Sequence, residues 1–136
     1  MTAGYSGTPL WKKLGYAAGT RANAMGAPAG YRKLLGLPAA VKVTWLAKPE
    51  PGIGFVHLFS LDAASLKRKL AALRRTVAPA GVVWVSWPKK ASRVPTDITE
   101  DTIREVALPM GFVDVKVCAV DETWSGLKLM IRRSER

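Results

Sequence analysis

Reactive and charged side chains gather in two stretches of this sequence. Trp87-Pro-Lys-Lys90, followed by Arg93, sets three cations behind an indole, and Asp121-Glu-Thr-Trp-Ser125 brings two carboxylates, a second indole and a hydroxyl. Lys89, Lys90 and Arg93 suit a phosphate or carboxylate, because hydrogen bonds to ionised oxygens are about twice as strong as neutral ones. Asp121 and Glu122 are open to acid–base or metal work, since neighbouring carboxylates raise one another's proton affinity. Plainer readings stand beside both: a solvated basic loop, and a turn in which Asp121 or Glu122 pairs with Lys89 or Lys90 to fix a hairpin. No histidine or second ligand cluster accompanies the carboxylates, so no metal is expected and no catalytic residue is assigned.

His57 lies in the apolar run from Ile53 to Phe59 and reads as a hydrogen-bonded core residue. Cys118, between Val117 and Ala119, has no activating neighbour in sequence and reads as a small buried hydrophobe. Lys67, Arg68, Arg74 and Arg75 share one side of a helix and could track nucleic-acid phosphates. Helices commonly solvate themselves in this way, and the aromatics of a stacking surface are missing from that side.

The elements that must position these residues follow from periodicity and punctuation. Thr8, Pro9 and Gly15 bracket a short helix over Leu10 to Leu14. Arg21 to Met25 predicts a weak first strand, with Gly26, Pro28 and Gly30 turning the chain into a helix at Tyr31 to Leu35. Val41 to Leu46 alternates and is β-branched, which predicts a second strand. Ile53 to Phe59 is almost wholly apolar, as a parallel strand covered on both faces requires. Leu66, Leu70, Leu73 and Val77 form one stripe of a helix over Asp62 to Val77. A buried strand over Val82 to Trp87 follows, then a helix near Asp97, whose spacing to Glu100 fits a capping box. Phe112 to Val120 and Leu127 to Ile131 close the chain as strands joined by a hairpin. Strands and helices alternate throughout, so right-handed crossovers build a mostly parallel sheet, with one antiparallel C-terminal strand and helices on both faces.

That order of elements resembles the S-adenosylmethionine methyltransferase fold, a Rossmann-like architecture. Gly4-Tyr-Ser-Gly-Thr-Pro-Leu10, Trp87-Pro-Lys-Lys-Ala91 and Val117-Cys-Ala-Val-Asp-Glu-Thr-Trp-Ser-Gly-Leu127 resemble a bacterial family catalogued only as a domain of unknown function. The resemblance covers nearly the whole chain and implies a compact methyltransferase-like core with no established activity. Such folds hold their cofactor with glycines after the first strand and an acidic residue ending the second. Here those positions read Arg21-Ala-Asn-Ala-Met-Gly-Ala-Pro28 and Leu46-Ala-Lys48, so the cofactor loop is degenerate and no cofactor is expected.

At 136 residues, with 49% hydrophobic and 23% charged residues, the chain makes one soluble domain over 1–136, and no apolar run is long enough to span a membrane. The start of the chain does not read as a secretion signal, and a single cysteine allows no internal disulfide, which points to the cytoplasm. Net charge is +11, and residues 1–75 hold 12 Lys and Arg against Glu50 and Asp62. Such asymmetry favours an anionic small molecule, an acidic partner or nucleic acid. The leading expectation is a non-catalytic protein binding an anion at the carboxyl-edge loops, with Trp87, Lys89, Lys90, Arg93, Asp121, Glu122, Trp124 and Ser125 around it. The alternatives are a small transferase acting on a phosphorylated or nucleotide-like substrate, and a sequence-independent nucleic-acid binder.

Overall fold

The computed structural model describes residues 7–136, so the motif residues Gly4 to Ser6 lie outside it. Among the described residues four α-helices and six strands follow one another: α1 (Leu10–Leu14), β1 (Arg21–Met25), α2 (Tyr31–Leu35), β2 (Thr44–Trp45), β3 (Ile53–Phe59), α3 (Ala63–Thr76), β4 (Val77–Pro88), α4 (Glu100–Ala107), β5 (Phe112–Ala119) and β6 (Trp124–Ile131). The six strands form one sheet in the order β2-β1-β3-β4-β6-β5. β2, β1, β3 and β4 run parallel, while β6 is antiparallel to both its neighbours. The final strand therefore inserts between β4 and β5. The two strands of the expected βαβ unit share a direction without touching.

Each face of the sheet buries one cluster. On one side Leu66, Leu70 and Leu73 of α3 and Ile103 and Ala107 of α4 pack against Val56, Leu58, Val83 and Val85. Helical spacing of those leucines gives α3 its buried stripe. On the other side Leu14, Tyr31 and Leu35 from α1 and α2 meet Phe55, Phe59 and Trp84. Trp84 Nε1 donates to the Leu14 carbonyl at 2.8 Å, which satisfies the buried indole and ties α1 to the sheet.

Several boundaries differ from expectation for identifiable reasons. Pro9, not Thr8, occupies the cap of α1, and its carbonyl accepts from Lys12 and Lys13. Only Thr44 and Trp45 of the expected second strand pair, because β2 is an edge with β1 as its one neighbour. The capping box of α4 belongs to Thr99 and Thr102. Asp97 instead accepts from Ala63 N at 2.7 Å, while Asp62 accepts from Ser65 N at 2.9 Å, so two carboxylates cap α3.

Candidate functional site

β1 ends at Met25, and the chain turns through Gly26 into α2. Gly26 has φ +71°, and a Cβ there would lie 2.9 Å from the Phe59 carbonyl oxygen, so the turn packs against the end of β3 at a distance only glycine permits. Beside this turn, Ala24, Ala27, Pro28 and Gly30 join Trp45 and Leu46 from β2 around a cavity of about 430 Å³. Trp45 is held in place on several sides. Tyr16 and Tyr31 contact its ring at 5.6 and 6.2 Å, and the Arg32 guanidinium sits 4.8 Å from its centroid.

A second cavity of about 340 Å³ adjoins the first, sharing Pro28, Gly30 and Lys33 with it and reaching Asp121. The two make one groove along the carboxyl edge, apolar at Trp45, cationic at Arg32 and Lys33, and bearing a carboxylate at its far end. The β5 to β6 turn fixes that carboxylate: Asp121 Oδ1 accepts from the amides of Thr123 and Trp124 at 2.8 and 2.7 Å. Backbone donors aimed at one oxygen orient the group.

Behind the groove runs a buried polar chain. Tyr16 and Tyr31 join their hydroxyls at 2.7 Å, Tyr31 reaches His57 Nδ1 at 2.6 Å, and His57 Nε2 meets Ser86 Oγ at 2.7 Å. His57 is thus the hydrogen-bonded core residue expected, with burial pushing its pKa down to about 3. Burial also raises both tyrosines above the ordinary phenol range. All three titratable groups are neutral at pH 7, as a desolvated network demands.

The sequence-predicted residues divide between the two faces. Lys89 N donates to the Thr123 carbonyl at 2.7 Å, so the Lys89 and Asp121 loops do share the carboxyl edge. Beyond that crossing they part. The Asp121 turn lies over the α2 side, where Trp124 meets Phe59 edge-on at 5.0 Å. The chain after Arg93 goes to the α3 side, where Thr96 donates to the Leu61 carbonyl and Asp97 caps α3. Asp121 therefore shares its cavity with Lys33 and not with Lys89, Lys90 or Arg93. Among the described residues neither Asp121 nor Glu122 forms an ion pair with Lys89 or Lys90. Trp87 is 8% exposed within the α3 and α4 core, Ser125 pairs with it across the sheet, and Glu122 is exposed.

The first turn of α4, which follows the Lys89, Lys90 and Arg93 loop, carries Glu100 and Asp101, which oppose an anion there. On α3, Lys67, Arg68 and Arg75 are exposed, but Arg74 donates to the Met110 carbonyl at 2.9 Å and pairs with Glu135 at 3.2 Å. One of the four cations proposed for nucleic acid is therefore spent on docking the C-terminal segment. Sequence reasoning missed Trp45, Arg32 and Lys33. The signal was present in Gly26, Pro28 and Gly30, which were read as punctuation alone.

No protein-family model matches the chain, and no curated protein sequence matches it. Its fold is that of the Rossmann-like methyltransferases. It superposes on the N-methyltransferase NodS from Bradyrhizobium japonicum with TM-score 0.61 and 13% identity, over 90% of this chain and 92% of that one. A SAM-dependent methyltransferase from Aquifex aeolicus gives 0.64 and 13%, over 88% and 86%. The 4+2 cyclase SpnF gives 0.58 and 10%, over 90% and 79%. These neighbours, methyltransferases and a cyclase whose fold the chain shares, overturn the expectation of a non-catalytic binding protein.

The residues of the groove do not fit the sulfonium cofactor of such enzymes. Its apolar half could receive a nucleoside beside Trp45. The end of β2, however, offers Leu46-Ala-Lys48 where ribose hydroxyls call for a carboxylate, and Arg32 and Lys33 repel a cation.

Proposed function

We propose that this chain is a small transferase acting on a phosphorylated or nucleotide-like substrate bound in the groove from Trp45 past Lys33 to Asp121. The observation that carries the reading is the continuity of the two cavities, which share Lys33 and change from apolar to cationic to acidic along their length. In this reading Trp45 walls the planar part of the substrate. Arg32 and Lys33 take its phosphate oxygens. Asp121 accepts a hydrogen from the group that receives the transfer, a role for which its Oδ1 is already oriented by two amides. In this reading the chain acts as a single domain in the cytoplasm, and the reading extends to the bacterial family that its motifs resemble.

The test is an incubation of the purified chain with phosphorylated nucleosides and hydroxyl- or amine-bearing acceptors, with transferred mass read by spectrometry. Wild type should turn over at least one pair, and Asp121→Asn should lower the rate by about 10²- to 10⁴-fold, the usual contribution of a positioned base, with substrate binding unchanged. Absence of any transfer, or turnover that survives Asp121→Asn, would remove the reading.

A further inference from the structure

We propose that the α1 face of β5 and β6 carries a second anion site, built on Lys116 and Lys128, for a small phosphate-bearing molecule. The two lysines are direct cross-strand partners. Partners in an antiparallel pair project to the same face, and like charges placed opposite one another are destabilising. The arrangement therefore asks for a counter-charge, and β5 holds one acidic residue, Asp114, two positions before Lys116.

A β-bulge denies it to them. The register shifts between Asp114 and Lys116, so that Asp114 pairs with Leu129 while Lys116 pairs with Lys128. Leu129 belongs to the α3 and α4 core, and Asp114 turns to that side, where its Oδ2 accepts from Arg104 Nε at 2.8 Å. The extra residue, Val115, thus moves the strand's carboxylate to the opposite face. Bulges of this kind re-aim side chains, and here the result is a pair of lysines with no acidic partner among the described residues.

The face is also hollow. A cavity of about 320 Å³ is walled by Lys13 of α1 and by Lys116, Val117, Cys118 and Ala119 of β5. Its size suits a pyrophosphate or a phosphorylated metabolite, and lysines serve phosphate as mobile point charges. Partial burial and the charge of Lys116 both lower the Lys128 ammonium below its ordinary range, whereas burial pushes the Cys118 thiol up against the opposing charges of Lys13 and Lys116. A bound dianion would relieve the repulsion.

Cys118 is the chain's sole thiol and lines the cavity, so its alkylation by neutral iodoacetamide reports occupancy. Pyrophosphate should slow that reaction saturably, by about tenfold at ten times its dissociation constant, as mass action requires. Lys116→Gln, a change at an exposed position, should abolish most of the protection, and Asp121→Asn should leave it intact, so the site stands or falls apart from the transferase groove. The proposal is overturned if pyrophosphate gives no protection, if Lys116→Gln protects as well as wild type, or if chloride of equal ionic strength reproduces the effect. Protection by a DNA duplex with none by pyrophosphate would likewise overturn it, in favour of a nucleic-acid surface.

Discussion

His57 illustrates how one buried side chain can fix several others. Its two ring nitrogens are both engaged, by Tyr31 and Ser86, and its ring stacks on Phe59 at 4.2 Å and 23°. Strand periodicity and apolar neighbours made its burial legible in the sequence. Its partners were not, because Tyr31 and Ser86 are 26 and 29 residues away and meet it only once the sheet has formed. Gly126 shows the same dependence: a Cβ there would sit 3.2 Å from Trp84 Cε3 and 3.3 Å from Ser86 Oγ, so the glycine makes room for both. The linkage of His57 to pH has a definite sign. Its folded pKa is depressed to about 3 from the usual 6.5, so its contribution is present in full above pH 6.5 and is lost as pH falls toward 3. Urea titrations between pH 6 and pH 5 should show stability falling by up to about 1.4 kcal/mol per unit from this residue. A flat profile across that window would mean that His57 is not held neutral.

At the scale of elements, the helices and strands with strong local patterns fall close to where periodicity places them, as α3 and β3 do. The deviations arise where a long-range contact outbids a local one. Asp97 and Glu100 have the spacing of a capping box, yet the box forms at Thr99 and Thr102 while Asp97 is drawn to α3. An amide of α3 can be capped from 34 residues away only after the two helices pack on one face. Asp97→Ala should therefore destabilise the protein by about 1 kcal/mol, as loss of a cap does, and should do so by loosening α3 rather than α4. Amide hydrogen exchange locates the effect: faster exchange confined to α4 would contradict the assignment. The bulge at Val115 was equally invisible in sequence, since Asp114-Val-Lys116 reads as plain alternation and the reversal of faces appears only in the register with β6.

For the molecule as a whole, alternation of strands and helices was enough to give a mostly parallel sheet covered on both faces. It did not give the insertion of β6 between β4 and β5, nor the parting of the Lys89 and Asp121 loops onto opposite faces. The groove unites residues from position 24 to position 121, and no local spacing announces such a site. Its charge is distinctive, since a methyltransferase-like framework here carries Arg32 and Lys33 in the groove and Lys48 in the chain just after β2. The central claim is that this groove takes a phosphorylated, nucleotide-like anion. Calorimetric titration of adenosine diphosphate and of S-adenosylmethionine, into wild type and Lys33→Ala, tests it most directly. The account predicts saturable binding of the diphosphate, weakened about tenfold in Lys33→Ala by loss of roughly 1.4 kcal/mol from one charge-assisted contact, and no binding of S-adenosylmethionine. Micromolar affinity for S-adenosylmethionine with none for the diphosphate would contradict it.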